Sequence, residues 1–169
     1  MKFIIHGGTL SRSLQSISSV VPSGRTMPIL LNFLMEVENE ELKITASDLE
    51  TTITVKLNPS MLEQDQVNKI AIPAKMFLEV VNSLSSQQIT VEVKENYSVE
   101  ITAGTGRYKL VGEDPASYPT AIELSDPALT TISSSVLVKA IGKTLFATGT
   151  GEMRPQMTGV LCEQTHNET

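Results

Sequence analysis

The sequence predicts an α+β fold in which antiparallel sheets carry paired helices on one face, and three observations lead to this prediction. Three stretches have the 3.6-residue period of amphipathic helices, and the segments between them alternate apolar and polar residues with the two-residue period of strands. Short turns join the strands, without the long crossovers that a large parallel sheet needs. Part of the pattern recurs after a shift of 127 residues, which places Ile132 on Ile5.

Each predicted helix has one apolar face, and the three helices cover residues 9–21, 74–84 and 136–146. In the first, Leu10, Leu14 and Ile17 fall on one side at spacings of four and three residues. Pro73 suits the start of the second helix because its fixed φ is compatible with a first helical turn. The serines at 133–135 are candidates to cap the third helix.

Strands are predicted for the short alternating or β-branched segments, which are residues 1–5, 30–38, 42–46, 51–57, 69–72, 88–94, 98–102 and 107–111. Asn39-Glu40 and Glu95-Asn96 are predicted hairpin turns between neighbouring strands. Residues 112–127 are the best linker candidate because they combine prolines with acids and serines. We therefore expect a first domain in residues 1–125, including the linker, and an incomplete second domain in residues 126–169.

The internal repeat supports this division. The pairs aligned by the shift share apolar character, proline or glutamate, and they include Ile5 with Ile132, Leu10 with Leu137, Leu14 with Ile141, Pro28 with Pro155, and Glu36 with Glu163. The order strand, helix, loop, proline and strand thus occurs twice, so the second copy is expected to stop after its first helix and one strand. A weaker internal repeat within the first copy predicts that this copy consists of two βαβ-type halves.

Charge is distributed unevenly along the chain, although the net charge of −6 by itself argues against nucleic-acid binding. The predicted helices have a balance of +3 and the remainder a balance of −9. The helix cations are Arg12, Lys75, Lys139 and Lys143, and Arg25 and Arg154 stand in loops before the repeated prolines. This pattern has two interpretations: solvated helix faces that happen to be basic, or a concave cationic surface that faces phosphates while acidic sheets face outward.

Catalytic and metal sites are not indicated. Asp48 and Glu50 have no nearby histidine and are assigned to a turn, and His6 and His166 match no metal-ligand spacing. We expect no catalytic residues, no metal and no cofactor. Cys162 lies in an apolar run, which predicts a buried, inert thiol and agrees with a reducing compartment.

The location and function class follow from weaker signals. The apolar start of the chain is too short for a signal peptide or a membrane span, so a cytoplasmic protein without a membrane partner is expected. Three hypotheses for the function remain open at this point. They are a protein that encircles DNA, a β-rich protein-interaction scaffold, and a small hydrolase that uses Asp48 and Glu50. The DNA-encircling and scaffold hypotheses differ in whether the helix cations share one face.

Several segments, in order and at suitable spacing, resemble the sliding clamp, or β subunit, family of bacterial DNA polymerase III. They are Met1-Lys2-Phe3-Ile4-Ile5, Arg25-Thr26-Met27-Pro28-Ile29-Leu30, Ala46-Ser47-Asp48-Leu49-Glu50, Ile72-Pro73-Ala74-Lys75-Met76-Phe77, and Met153-Arg154-Pro155-Gln156-Met157-Thr158-Gly159-Val160. The resemblance implies a DNA-clamp fold of repeated domains, with three per subunit and two subunits closing into a ring around duplex DNA. It also implies a processivity factor without catalysis or cofactor.

The resemblance further implies partners and site residues. The partners are duplex DNA, the DNA polymerase III catalytic subunit, the clamp-loader complex, other polymerases and repair proteins, and a second subunit in a homodimer. Arg25 and Arg154 resemble basic loop residues that approach DNA, and the helix cations would line the hole. Met157 resembles one wall of a pocket for partner peptides. The residues that resemble the first-domain edge of the subunit interface are Val80, Tyr108 and Leu110.

Overall fold

The computed structural model describes residues 1–24, 27–38, 41–63, 67–119, 130–150 and 154–163. The chain forms two compact units, Met1–Ile122 and Glu123–Thr169. The predicted domain boundary after residue 125 falls in residues 120–129, outside the described residues, and stays a prediction. No helix in the described part of the chain is long and apolar enough to cross a membrane.

The first unit contains nine strands and two helices among its described residues. In chain order they are β1 (Lys2–His6), α1 (Gly7–Ser18), β2 (Asn32–Glu38), β3 (Glu41–Ser47), β4 (Thr52–Leu57), β5 (Ser60–Glu63), β6 (Lys69–Pro73), α2 (Ala74–Ser83), β7 (Gln88–Val93), β8 (Ser98–Ala103) and β9 (Gly106–Val111). The second unit contains α3 (Ser134–Thr144), and short 3₁₀ turns occur at Pro28–Leu31, Pro115–Ser117, Leu145–Ala147 and Pro155–Met157.

Two antiparallel sheets form the first unit, with strand orders β5-β1-β7-β8-β9 and β4-β3-β2-β6. Each half of the unit begins with a strand and a helix, which four strands follow in the first half and three in the second. The two halves exchange their leading strands. β1 pairs with β7 of the second half, where Ile5 lies opposite Ile89. β6 pairs with β2 of the first half, where Ile72 lies opposite Phe33. The predicted pair of βαβ-type halves is therefore present, but neither half forms a sheet alone.

The two helices pack against each other, and each of them contacts strands of both sheets. α1 contacts β1, β3 and β4, and α2 contacts β2, β6 and β9. Their apolar faces share one core with both sheets, and Leu10, Leu14, Phe77 and Val81 are fully buried there. The predicted α+β class, with antiparallel sheets and paired helices on one side, is confirmed. Burial of aliphatic side chains from both sheets supplies the main stabilising term.

Some predicted boundaries differ from the observed ones for local reasons. α1 begins at Gly7 because the His6 side chain caps it, with Nδ1 accepting from Gly8 N at 3.2 Å. The predicted strand 30–38 begins only at Asn32, since Pro28 starts a 3₁₀ turn whose Ile29 carbonyl accepts from the buried Asn32 amide. β5 was not predicted, because its formation depends on pairing with β1 and not on a pattern of its own.

The second unit departs further from expectation. α3 forms where the repeat predicts it, and Pro28 and Pro155 each begin a 3₁₀ turn. However, residues 130–133 and 158–163 form no strand, because a strand needs a hydrogen-bonded neighbour and the described residues of this unit provide none. The expected core residues Leu137 and Ile141 are each 37% exposed. Cys162 is also exposed, so the prediction of a buried thiol was wrong.

The beginning of the predicted linker packs onto the first unit. Glu113 N donates to Ala71 O at 2.8 Å, and Ala71 N donates back to Glu113 O at 3.2 Å. Tyr118 is 4% exposed and packs in a small apolar cluster that includes Leu30 and Leu34. Its hydroxyl donates to Thr45 O at 3.4 Å. Burial raises the pKa of Tyr118 to about 12, and the backbone of Ser47 opposes this rise.

The turn between β3 and β4 holds Leu49 in a left-handed conformation, with φ 79°. Asp48 Oδ1 accepts from Glu50 N at 3.0 Å and from Thr51 N at 2.6 Å. Ser47 Oγ accepts from Leu49 N at 3.2 Å. These bonds enforce a backbone geometry that a leucine adopts only with strain. Asp48 thus has the turn role that the sequence favoured over acid–base chemistry.

Replacing Leu49 by asparagine should raise the free energy of unfolding by about 0.5–1 kcal/mol, since asparagine tolerates the left-handed region. Leu49 is 62% exposed, so the substitution sacrifices little apolar burial. Urea titration followed by circular dichroism measures the change. Met76→Asn is the matched control, because Met76 is similarly exposed but helical. A stability of Leu49→Asn below that of the original chain would contradict the strain argument.

Candidate nucleic-acid interface

The exposed sides of α1 and α2 carry unpaired positive charge. Arg12 projects from α1 and Lys75 from the first turn of α2, and both side chains are exposed. Arg12 Nε donates to Gly8 O at 3.1 Å, which leaves the terminal guanidinium nitrogens available. Neither cation has a carboxylate within 4.0 Å in the described part of the chain. Glu79 lies one turn after Lys75 without forming an ion pair with it.

Cations in or beside the strands are mostly paired with carboxylates. The pairs are Lys43 with Glu38, Lys56 with Glu41 at 3.6 Å, Lys69 with Glu36 at 2.8 Å, Lys94 with Glu100 at 3.7 Å, and Arg107 with Glu100 at 2.9 Å. The hydrogen bond from Lys43 lowers the pKa of Glu38 and raises that of Lys43 itself. Lys2 and Lys109 are the strand cations without such a pair among the described residues. The helices thus differ from the sheets in pairing as well as in charge balance.

A polar network joins the two helices beside these cations. Ser11 Oγ donates to Asn82 Oδ1 at 2.6 Å. Gln15 Nε2 donates to the same Oδ1 at 3.1 Å and to Ser11 Oγ at 3.3 Å. Ser11 is nearly fully buried, while Gln15 and Asn82 are exposed. We call these three residues the seam. They connect helices that lie far apart in the sequence, so periodicity did not reveal them.

The remaining predicted DNA-binding residues lie elsewhere. Lys139 and Lys143 are exposed on α3, and Arg154 is exposed immediately before the Pro155 turn. None has a carboxylate within 4.0 Å among the described residues of its unit. Lys139 stands where the 127-residue shift places Arg12, a repeated cation that sequence reasoning overlooked. Arg25 lies outside the described residues. Arg12 and Lys75 are therefore the predicted cations that the structure places on adjacent helices.

The residues predicted for the peptide pocket and the subunit interface differ in their exposure. Met157 ends a 3₁₀ turn and is 57% exposed, and its carbonyl accepts from Gly149 N at 2.8 Å. Tyr108 is partly exposed on β9, which is an edge strand of its sheet. Leu110 is buried in the core of its own unit, and Val80 is half-buried against that core. These positions leave Tyr108 and the strand edge as the accessible part of the predicted interface.

Metal chemistry finds no support in the described residues, where no three histidine, cysteine or acidic side chains cluster closely enough to hold an ion. His6 is used as a helix cap and Asp48 as a turn acceptor. His6 and Asp48 therefore have structural roles in the described part of the chain. The exposed sides of α1 and α2 present hydrogen-bond donors and positive charges, which are suited to phosphate oxygens.

Comparison with known proteins agrees with this geometry. Residues 1–122 match the family described as DNA polymerase III beta subunit, N-terminal domain. The chain is 30% identical over 165 residues to the beta sliding clamp of Halalkalibacterium halodurans, covering 95% of this chain and 43% of that protein. A beta sliding clamp of Staphylococcus aureus is 27% identical, with 95% of this chain and 44% of that protein covered. The chain thus spans less than half the length of these relatives.

Solved structures give the same assignment. The DNA polymerase III subunit beta of Pseudomonas aeruginosa is 28% identical, with a TM-score of 0.82 over 94% of this chain and 43% of that one. The DNA polymerase sliding clamp of Bacillus subtilis is also 28% identical, with a TM-score of 0.80 over 92% of this chain and 42% of that one. The resemblance inferred from the sequence is confirmed: the chain belongs to the DNA polymerase III beta subunit family, and residues 1–122 match its N-terminal domain.

Proposed function

We propose that this chain provides part of a processivity factor, a ring that encircles duplex DNA and tethers the replicative polymerase without catalysing a reaction. The observation that carries the proposal is the difference in charge pairing. Arg12 and Lys75 have no carboxylate partner among the described residues, whereas the strand cations mostly do. Family membership supports the same function, because the related proteins are beta sliding clamps.

The proposed mechanism is a loose, sequence-independent hold on the DNA backbone. Free cations on the helices attract phosphates by displacing condensed counterions, and this attraction carries no information about base sequence. The acidic remainder of the chain repels DNA, so contact is favoured only at the helix face. Arg25, Lys139, Lys143 and Arg154 are proposed to extend the cationic surface. A hold of this kind permits sliding because no base edge is read.

The wider assembly is proposed from family membership. It comprises a homodimeric ring in the cytoplasm, with the DNA polymerase III catalytic subunit, the clamp loader, other polymerases and repair proteins as partners. The edge at Val80, Tyr108 and Leu110 is proposed to meet the neighbouring subunit, and Met157 to contribute to a peptide pocket. The exposed edge of β9 supports the first assignment, since an edge strand can pair with another chain.

The double variant Arg12→Ala/Lys75→Ala tests the DNA-binding surface. We expect the original chain to bind duplex DNA weakly, with Kd near 10⁻⁴ M at physiological salt, and without preference for sequence. Each phosphate contact contributes about −0.9 to the slope of log affinity against log salt, so the double variant should flatten the slope by about 1.8. Fluorescence anisotropy with a labelled duplex over a range of salt concentrations measures both quantities.

The matched control is Lys43→Ala/Lys56→Ala, which removes the same charge from cations that are already paired. It should change the slope much less than the helix variant does. Equal effects of the two double variants would contradict the assignment of the helix surface. Nanomolar, sequence-selective binding would contradict the whole mechanism.

A further inference from the structure

We infer that Asn82 is a phosphate-binding residue, in which the Nδ2 group, oriented by the seam, donates a hydrogen bond to a phosphodiester oxygen of the duplex backbone. The inference rests on the proposed function and adds a neutral donor to the cationic surface. Asn82 is exposed near the end of α2, the helix that carries Lys75 in its first turn.

In the seam, the Oδ1 atom of the Asn82 amide faces α1. Ser11 Oγ and Gln15 Nε2, both on α1, donate to Asn82 Oδ1 at 2.6 and 3.1 Å. In this orientation the amide oxygen accepts both hydrogen bonds from α1. The amide is planar, and Nδ2 therefore points away from these donors with two hydrogens to donate. Neither hydrogen has an acceptor among the described residues.

The choice of asparagine is informative because aspartate would serve the seam better. A carboxylate accepts hydrogen bonds more strongly than an amide oxygen does, so an aspartate at this position would hold Ser11 and Gln15 more firmly than Asn82 does. Asparagine instead keeps negative charge off the helix surface that carries Arg12 and Lys75 and supplies two oriented donors. Asparagine side chains commonly contact the DNA backbone in this way. The last turn of α2 also disfavours a carboxylate because of the helix dipole, whereas a purely structural seam does not require the two free donors.

The first experiment follows the side-chain amide resonances of Asn82 by ¹⁵N-edited NMR as an unlabelled duplex is added to the full chain. These resonances should shift together with the backbone amides near Arg12 and Lys75. Inorganic phosphate at the same phosphate concentration and ionic strength should shift them much less, because the proposed ligand is a duplex backbone. Equal shifts with inorganic phosphate, or no shift while the neighbouring amides respond, would overturn the inference.

The second experiment compares Asn82→Asp with Ser83→Asp. The first variant keeps the acceptor for Ser11 and Gln15 but removes both donors, while the second adds the same charge at the adjacent exposed position. Asn82→Asp should weaken duplex binding at least about threefold more than Ser83→Asp does, as loss of one hydrogen bond predicts. Equal weakening would mean that charge alone acts, and it would overturn the inference.

Asn82→Ala separates a neutral contact from a cationic one. It should reduce affinity about threefold and leave the salt slope unchanged, since a neutral donor displaces no counterion. Thermal unfolding of each variant checks that the helix pair is intact, and Asn82→Asp provides the folded comparison if the alanine variant unfolds. If Arg12→Ala/Lys75→Ala flattens the slope while the Asn82 variants bind normally, the Asn82 inference fails and the proposed function stands. If the original chain binds no duplex, both fail.

Discussion

Gly7→Ala is expected to lower the free energy of unfolding of the first unit by about 3 kcal/mol, at the upper end of the usual cost of overpacking. A Cβ at position 7 would lie 2.2 Å from Leu84 O, 2.9 Å from the carbonyl carbon of Leu84, and 3.2 Å from Gln87 O. These atoms belong to the backbone that follows α2, so no side-chain rotation relieves the overlap. Gly7 N also donates to Gln87 O at 2.9 Å, and separation of the segments would weaken this bond.

Urea titration followed by circular dichroism measures this effect, with amide hydrogen exchange assigning it to the first unit. Gly142→Ala is the matched control, because a Cβ at Gly142 in α3 would have no atom within 4 Å. That variant should be neutral or should stabilise α3 by up to about 1 kcal/mol, as helix propensity predicts. A Gly7→Ala protein as stable as the original would show that the start of α1 can move away from the turn after α2 at little cost.

Alkaline pH should destabilise the first unit through Tyr118. The pKa of this phenol is raised from 10.0 to about 12 in the folded chain, mainly by burial. Below pH 10 the phenol is neutral in both states, so its contribution to stability is fully present. Between pH 10 and 12 the unfolded chain releases the proton while the folded chain retains it. The free energy of unfolding then falls by about 1.4 kcal/mol per pH unit, or up to about 2.7 kcal/mol in total.

Tyr118→Phe should remove this fall because phenylalanine does not ionise. Urea titrations at pH 9, 10.5 and 11.5 measure the free energy of unfolding of the original chain and of Tyr118→Phe. The difference between the two values should shrink or reverse as the pH rises. Tyr108→Phe, at a partly exposed phenol on β9, is the control and should keep the pH dependence of the original chain. Identical pH profiles for the original chain and Tyr118→Phe would mean that Tyr118 does not remain buried and neutral in this range.

Local sequence patterns predicted most of the secondary structure of the first unit, with β5 as the exception. Apolar spacing along Leu10, Leu14 and Ile17 identifies the buried face of α1, because residues three and four apart share a side of a helix. The alternation of Ile53, Val55 and Leu57 marks β4 in the same way, and these residues do pack partly against the core. Such patterns involve neighbours in the chain, and their physical cause is the geometry of one helix or one strand. The charge excess of the helices is also a property of sequence alone.

In the second unit, apolar spacing predicts the helix but not the burial of its apolar residues. The spacing of Leu137 and Ile141 correctly predicts a helix, but it does not predict that these residues are exposed. Burial requires another surface, and the described residues of the second unit do not provide a sheet to cover α3. The same reason explains the exposure of Cys162. An apolar face indicates what a helix is able to bury, and its partner decides whether the burial occurs.

Tertiary structure alone decided which polar groups remain available for a ligand. Lys69 is neutralised by Glu36 because β6 and β2 place the two residues opposite each other, a register between strands far apart in the sequence. Asn82 is oriented by Ser11 and Gln15 only because α1 packs against α2. The sequence by itself determined that the helices are basic and the rest of the chain acidic. Whether a given cation is free or paired depends on long-range packing, since an ion pair or a hydrogen bond forms only between groups that the fold brings within a few ångströms.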